Sequence, residues 1–254
     1  TIYVGSDQTY KTIQAAINAA SATEANEIII SAGTYNEDIT LDARTMEQKG
    51  NIKFIAAEGA EAVFAGLITI GYYEKRVGSK AWQADVAFEN ITFDQATDAK
   101  HSIDIQQCND FTMTNCKVIG DGEYGISGTN VDNGATITGT TFENAAIQSA
   151  GSFGTDFLID DCTFNESRVN IQSGNSVTIK DCTFNGILTD ANVGDSFYCV
   201  RSNDNAINIE NTTFNIDSEL TEVAGEQAKW GVLWQRNAGG TKWSAEDITV
   251  NFSD

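Results

Sequence analysis

The strongest constraint on this chain is a five-residue phrase that returns six times. It reads Glu89-Asn90-Ile91-Thr92-Phe93, Thr114-Asn115-Cys116-Lys117-Val118, Thr138-Gly139-Thr140-Thr141-Phe142, Asp160-Asp161-Cys162-Thr163-Phe164, Lys180-Asp181-Cys182-Thr183-Phe184 and Glu210-Asn211-Thr212-Thr213-Phe214. The last residues of successive phrases stand 25, 24, 22, 20 and 30 positions apart, a short period with elastic spacing. A unit of that size cannot bury an apolar face alone, so copies must stack on one another as the coils of a solenoid. Within each phrase Cys, Ile or Thr and then Phe point one way, and the Thr between them points the other way. The single Asn, Asp or Gly between the flanking inward residues belongs to the residue types that tolerate a left-handed backbone. Each phrase therefore predicts strand, one-residue corner, strand.

A second refrain precedes the first: Ile105-Gln106-Gln107, Ile126-Ser127-Gly128, Ile147-Gln148-Ser149, Ile171-Gln172-Ser173, Val200-Arg201-Ser202 and Trp234-Gln235-Arg236. It supplies a third strand per coil. The predicted fold class is all-β: a right-handed parallel β-helix of three-strand coils with a short N-terminal capping α-helix. Stacking at about 4.8 Å lines up like side chains. That predicts a Phe row through Phe93, Phe142, Phe164, Phe184 and Phe214 and an Ile row through Ile105, Ile126, Ile147 and Ile171. The expected layout is one domain over 1–254, with a cap region at 1–45, repeat coils at 46–215 and a C-terminal coil and cap at 216–254. Cys116, Cys162 and Cys182 share one inward position and read as small buried hydrophobes with free thiols. No Cys-x-x-Cys pair or partnered His suggests a metal site.

Composition narrows the partners. With 15 Lys and Arg against 36 Asp and Glu, a net charge of −21 argues against an electrostatic grip on nucleic acid or anionic lipid. No apolar run approaches the roughly 18 residues of a membrane helix, so membrane insertion is not expected. Thr1 is not an initiator Met and no leader precedes it, which leads us to expect a module from a larger secreted chain with flanking domains.

Near the N-terminus, Ile13, Ala16, Ile17 and Ala20 fall at helical spacing within residues 9–22, and Thr9 is placed to cap the start. The run Thr12-Ile13-Gln14-Ala15-Ala16-Ile17, followed by an Ile strand and Gly33-x-Tyr35-x-Glu37, resembles the opening of pectin methylesterases and their relatives in the pectin-lyase-like superfamily. The specific resemblance covers about the first 40 residues. The phrases carry a fold-level match to about residue 214. Gly33, Tyr35 and Glu37 map onto an opening motif that is structural in many members. The resemblance implies a right-handed β-helix and an extracellular, polysaccharide-facing habit. The esterase motifs Gln-Asp-Thr, Asp-Phe-x-Phe-Gly and Arg-Pro-Trp are absent, and a chain with no proline cannot carry the last. No catalytic residue is carried over.

In that architecture the outward row of the refrain strand lines the ligand groove. Its members here are Asp104, Gln106, Ser127, Gln148, Asn170, Gln172, Arg201 and Gln235. Amides and an arginine suit hydrogen bonding to sugar hydroxyls and lack the paired carboxylates of glycoside hydrolysis. The candidate ligand-binding residues are Gln148, Asn170, Gln172, Arg201 and Gln235, and no catalytic or metal-binding residue is assigned. The expected function is a non-catalytic recognition or adhesion module at the cell surface or outside the cell, of bacterial origin, with a polysaccharide or host glycan as partner. A polysaccharide lyase or carbohydrate esterase acting on pectin-like or uronate polymers is the alternative from another class, and a rigid spacer is the third. No cofactor is expected, although Asp161 and Asp181 on neighbouring corners could share a Ca²⁺. Lys75, Arg76 and Lys80 between Tyr72-Tyr73 and Trp82 form a second candidate clamp for an acidic sugar. His101 reads as a surface residue, and Trp230, Trp234 and Trp243 as packing at the C-terminal closure. The Thr row Thr92, Thr141, Thr163, Thr183 and Thr213 resembles ice-binding faces, interrupted by Lys117.

Overall fold

The computed structural model describes residues 1–72, 82, 84–94, 101–121, 124–171, 176–187, 196–203, 206–217, 222–223, 226–227, 229–236 and 243–253. Among the described residues strands dominate, and the one helix is α1, Ile13–Ala19. The chain winds as a right-handed parallel β-helix with three stacks of short strands. One stack is a nine-stranded sheet in chain order, from Gly33–Tyr35 through Thr163–Asn165 and Thr183–Asn185 to Thr249–Ser253. The other two belong to a 17-stranded sheet and are joined by the long strand Tyr124–Thr138, which pairs with both. Among the described residues no helix is long and apolar enough to cross a membrane.

Asn90, Asn115, Gly139, Asp161, Asp181 and Asn211 all have φ between 42° and 59°, so the corner of every phrase is left-handed, where Asn, Asp and Gly are least disfavoured. Two residues, not one, separate the inward positions. Asp160, for example, ends its strand facing outward and Asp161 makes the bend, between buried Ile159 and Cys162. After five of the six corners, all but Asn90 with its Ile91, the next position follows a chemical rule of its own. Cys116, Cys162 and Cys182 lie with Sγ 3.4, 3.2 and 3.0 Å from the carbonyl two residues back, and the Thr140 and Thr212 hydroxyls donate to theirs at 3.1 and 2.8 Å. A small donor is therefore wanted there as much as a small hydrophobe. All five cysteines are free and buried. Burial pushes Cys116 and Cys199 up to about 12 and raises Cys108 as well, which keeps these sulfurs protonated and unreactive.

The core follows the predicted Phe row. Phe142, Phe164, Phe184 and Phe214 are fully buried and stack with ring centroids 4.9, 4.4 and 4.9 Å apart. Val118 interrupts the row before Phe93, and Phe64 extends it. The Ile row needs a correction. Strand pairing aligns Ile39, Ile68, Ile103, Ile126, Ile147, Val169, Val200 and Leu233, while Ile105 and Ile171 occupy the next inward position. Alternation fixes only which face a residue takes, so two registers two residues apart both keep Ile inside.

The N-terminal end is closed by α1, whose Ile13, Ala16 and Ile17 are fully buried. Thr12, not Thr9, caps it: the Thr12 hydroxyl accepts from Ala15 N–H at 3.2 Å. Tyr10 is held back by the first strand, which it bridges at Val4 and binds through Gly5 N–H at 3.0 Å, so the helix cannot start earlier. The motif residues have explicit work. Glu37 accepts from Ile13 N–H at 2.6 Å and Gln14 N–H at 3.1 Å, and the Gln14 amide clasps Thr40 through its carbonyl at 3.2 Å and its N–H at 2.8 Å. The Tyr35 hydroxyl donates to the Ser31 carbonyl at 3.0 Å.

Candidate functional site

Strand pairing sets the outward row of the first stack as Thr40, Thr69, Asp104, Ser127, Gln148, Asn170, Arg201 and Trp234. Gln148, Asn170 and Arg201 are thus brought onto three consecutive coils; the refrain aligned Gln172 with Gln148 and Arg201, and strand pairing puts Asn170 there instead. Gln235 is not in this row: it pairs with Ser202, and the row passes to Trp234. The sequence reading slipped by one residue because it took the bulky Trp234 for the inward position that Leu233 holds. Gln172 lies outside the described residues, as do Lys75, Arg76 and Lys80. Trp82 is fully buried, and the Arg44 guanidinium sits over one face of the Tyr72 ring at 3.0 Å.

The row is not a simple solvated face. Asn170 is 1% exposed, with its Nδ2 donating to Gln148 Oε1 at 3.3 Å and its Oδ1 without a hydrogen-bond partner among the described residues. Two positions earlier on the same strand face stands Arg168, which the sequence reading missed. It is 2% exposed and its Nε has no partner among the described residues. Burial presses the Arg168 guanidinium below its ordinary pKa; Tyr124, hydrogen-bonded to it, opposes that, and the neighbouring Arg201 adds to it. Two guanidiniums and two carboxamides therefore converge, with Gln148 and Arg201 partly exposed at the edge. Such a set is equipped to take an anionic oxygen fork and nearby hydroxyls. Asp104, the only carboxylate of the row, is four coils from Arg201, or about 19 Å at strand spacing, and is engaged by Gln106 at 2.8 Å.

At the corners, Asn211 Nδ2 donates to Asp181 at 2.6 Å, so a neighbouring amide already serves that carboxylate. Among the described residues no three His, Cys, Asp or Glu side chains converge as a metal site would require. One carboxyl pair does stand out. Asp85 and Asp110 occupy equivalent positions on adjacent coils, next to the pair Val86 and Phe111. Asp85 accepts from Asn51 Nδ2 at 2.6 Å and Asp110 from Asn133 Nδ2 at 3.2 Å. Burial, and then the charge of Asp110, raise the Asp85 pKa above its ordinary value. The folded state therefore holds this proton more tightly than the unfolded chain does. The associated stability is fully present below the ordinary value of 3.8 and is lost as pH rises through the raised one. Asp85→Asn is accordingly expected to melt higher than the parent at pH 7, with the gap closing as pH falls below 4; thermal unfolding across pH 3–7 measures it.

No curated protein matches the sequence. Among solved structures, the pectin methylesterase from Aspergillus niger in deglycosylated form is similar at 14% identity over 98% of this chain and 85% of that one, with a TM-score of 0.45. Its penultimately deglycosylated form gives 16% identity over 99% and 85%, with a TM-score of 0.42. A family model described as right handed beta helix region matches residues 79–228, more than half of the chain. Taken with the three parallel stacks and their left-handed corners, that match makes the chain a member of the right-handed β-helix family.

Proposed function

We propose that the chain is a non-catalytic recognition module that works outside the cell or at its surface and binds a glycan on the row of Gln148, Asn170 and Arg201. The observation that carries this reading is the buried pair Arg168 and Asn170 beside Arg201: Arg168 Nε and Asn170 Oδ1 are withdrawn from water and have no hydrogen-bond partner among the described residues. Burying such groups is costly unless something pairs with them, and a sugar carboxylate flanked by hydroxyls has the matching shape and charge. The row lacks the carboxylate pair that hydrolysis needs, which is the argument against an enzyme.

Calorimetric titration with a galacturonate trisaccharide is expected to give binding that weakens at least tenfold, about 1.4 kcal/mol, in Arg201→Ala and in Arg168→Met. Circular dichroism melts establish that the variants are folded. Binding unchanged in both variants would remove the site. Methanol or unsaturated products released from esterified pectin would replace the recognition reading with the lyase or esterase one.

A further inference from the structure

Inside the coil, just past the left-handed corners, lies a pair of soft nucleophiles with no part in the Arg168 and Arg201 row. Cys162 and Cys182 are 20 positions apart in sequence, and the winding of the chain sets them on consecutive coils in register. The Cys162 carbonyl accepts from Thr183 N–H at 2.9 Å, and the next residues, Thr163 and Thr183, are paired. The same ladder places Thr140 before Cys162 and Thr212 after Cys182, so each sulfur of the pair has one sulfur neighbour. Cys116 stands between Ile91 and Thr140 and has none.

The surroundings of the pair favour a positive charge. Cys162 Sγ has the carbonyls of Asp160 at 3.2 Å and Ile137 at 3.5 Å, and Cys182 Sγ has those of Lys180 at 3.0 Å and Ile159 at 3.8 Å. Four acceptor oxygens therefore face two S–H protons in a buried place, where such an excess is felt most. Hydrogen bonding from the Cys182 thiol holds Cys162 below its ordinary pKa in spite of burial, and the same bond raises Cys182. The pair thus releases one proton and keeps the other, unlike Cys108, Cys116 and Cys199, which burial holds protonated. Spacing decides between a covalent and a metal bridge. Parallel strands about 4.8 Å apart are too far for a disulfide, whose Cβ atoms sit about 3.8 Å and whose sulfurs about 2.05 Å from each other. Two metal–thiolate bonds of about 2.3 Å laid end to end reach about 4.6 Å, close to the coil spacing.

We propose that Cys162 and Cys182 form a two-coordinate site for copper(I), held in line between the sulfurs of consecutive coils. The ion bonds to the Cys162 sulfur as the thiol proton leaves to solvent, and it takes a lone pair from the Cys182 thiol, which keeps its hydrogen. One positive charge replaces another, no oxidation state changes and the core gains no net charge, so the large penalty of an unpaired buried ion does not arise. Soft sulfur ligands select copper(I), which is satisfied by two of them, whereas zinc asks for four ligands that this position does not offer. Because both thiols are buried, the ion enters when a coil opens locally, and it then staples two rungs together.

The test delivers copper(I) under nitrogen from a chromophoric copper(I) chelator, whose colour reports the share passed to the protein. One ion per chain is expected, with a higher melting temperature in the loaded form and two sulfur neighbours in copper-edge X-ray absorption. Thr already occupies this ladder at Thr140 and Thr212, so Cys162→Thr and Cys182→Thr keep the volume and the hydrogen bond to the carbonyl, and circular dichroism should show both folded. Each is expected to weaken copper(I) at least a hundredfold, while Cys116→Thr leaves the affinity unchanged. The proposal is overturned by absence of copper(I) uptake, by equal affinity in Cys162→Thr and the parent, by loss of binding in Cys116→Thr, or by oxygen or nitrogen in place of the two sulfurs. A Cys162–Cys182 disulfide formed in air, read as a mass two hydrogens lower, would also overturn it, since the rungs would then be close enough to oxidise.

Discussion

Phe184→Ala should lower the unfolding free energy by about 4 kcal/mol, within the 3–5 kcal/mol typical of buried Phe→Ala changes. Phe184 is fully buried and stacked on both sides, at 4.4 Å from Phe164 and 4.9 Å from Phe214. Truncation removes the apolar area, leaves a void that parallel strands cannot close by moving together, and ends two aromatic contacts at once. Urea denaturation measures the loss, and Phe184→Leu should restore roughly half of it by refilling volume. Because each coil touches only its neighbours, the variant is also expected to broaden the transition and lower the m-value as the two halves uncouple. A loss below 1 kcal/mol would show that the Phe row is not what holds the coils.

Glu37→Ala should cost about 2–3 kcal/mol, the scale of charge-assisted hydrogen bonds lost from backbone N–H groups. A helix of seven residues does not hold itself in water, so α1 depends on what it is tied to. Glu37 satisfies the first two N–H groups of the helix, and its charge faces the positive end of the helix dipole. Glu37→Gln keeps an acceptor and loses the charge, so it should fall between the parent and the alanine variant in thermal unfolding. Equal stability of all three would mean that burial of Ile13 and Ile17 alone seats the helix.

Much of this was legible in sequence for a physical reason. A coil repeats one geometric demand, and the answers accumulate: six corners filled by Asn, Asp or Gly can only be bends. Gln148 and Arg201 aligned correctly because each follows an inward Ile or Val, whereas the refrain set Gln172 between them where pairing puts Asn170. The failures came where the local pattern is degenerate. Ile103 and Ile105 are both inward, as are Val169 and Ile171, so period-two alternation could not choose between them. Arg168 was missed because a charge just after a corner reads as solvent-facing, although its spacing of two from Asn170 already put both on one face. The Gly33, Tyr35 and Glu37 motif was recognisable by resemblance, but that its carboxylate serves the helix became evident only when both stood side by side.

The left-handed corners also give the molecule a unit of heredity. Equivalent corners at Asp161 and Asp181 bracket one whole turn of the chain, so a duplication or excision in frame with them adds or removes a rung and returns the backbone to the same point of its path. Growth by tandem copying is therefore open to this architecture without any redesign of the layers above and below, and the uneven distances between phrases fit turns that have since drifted apart only in their connecting segments.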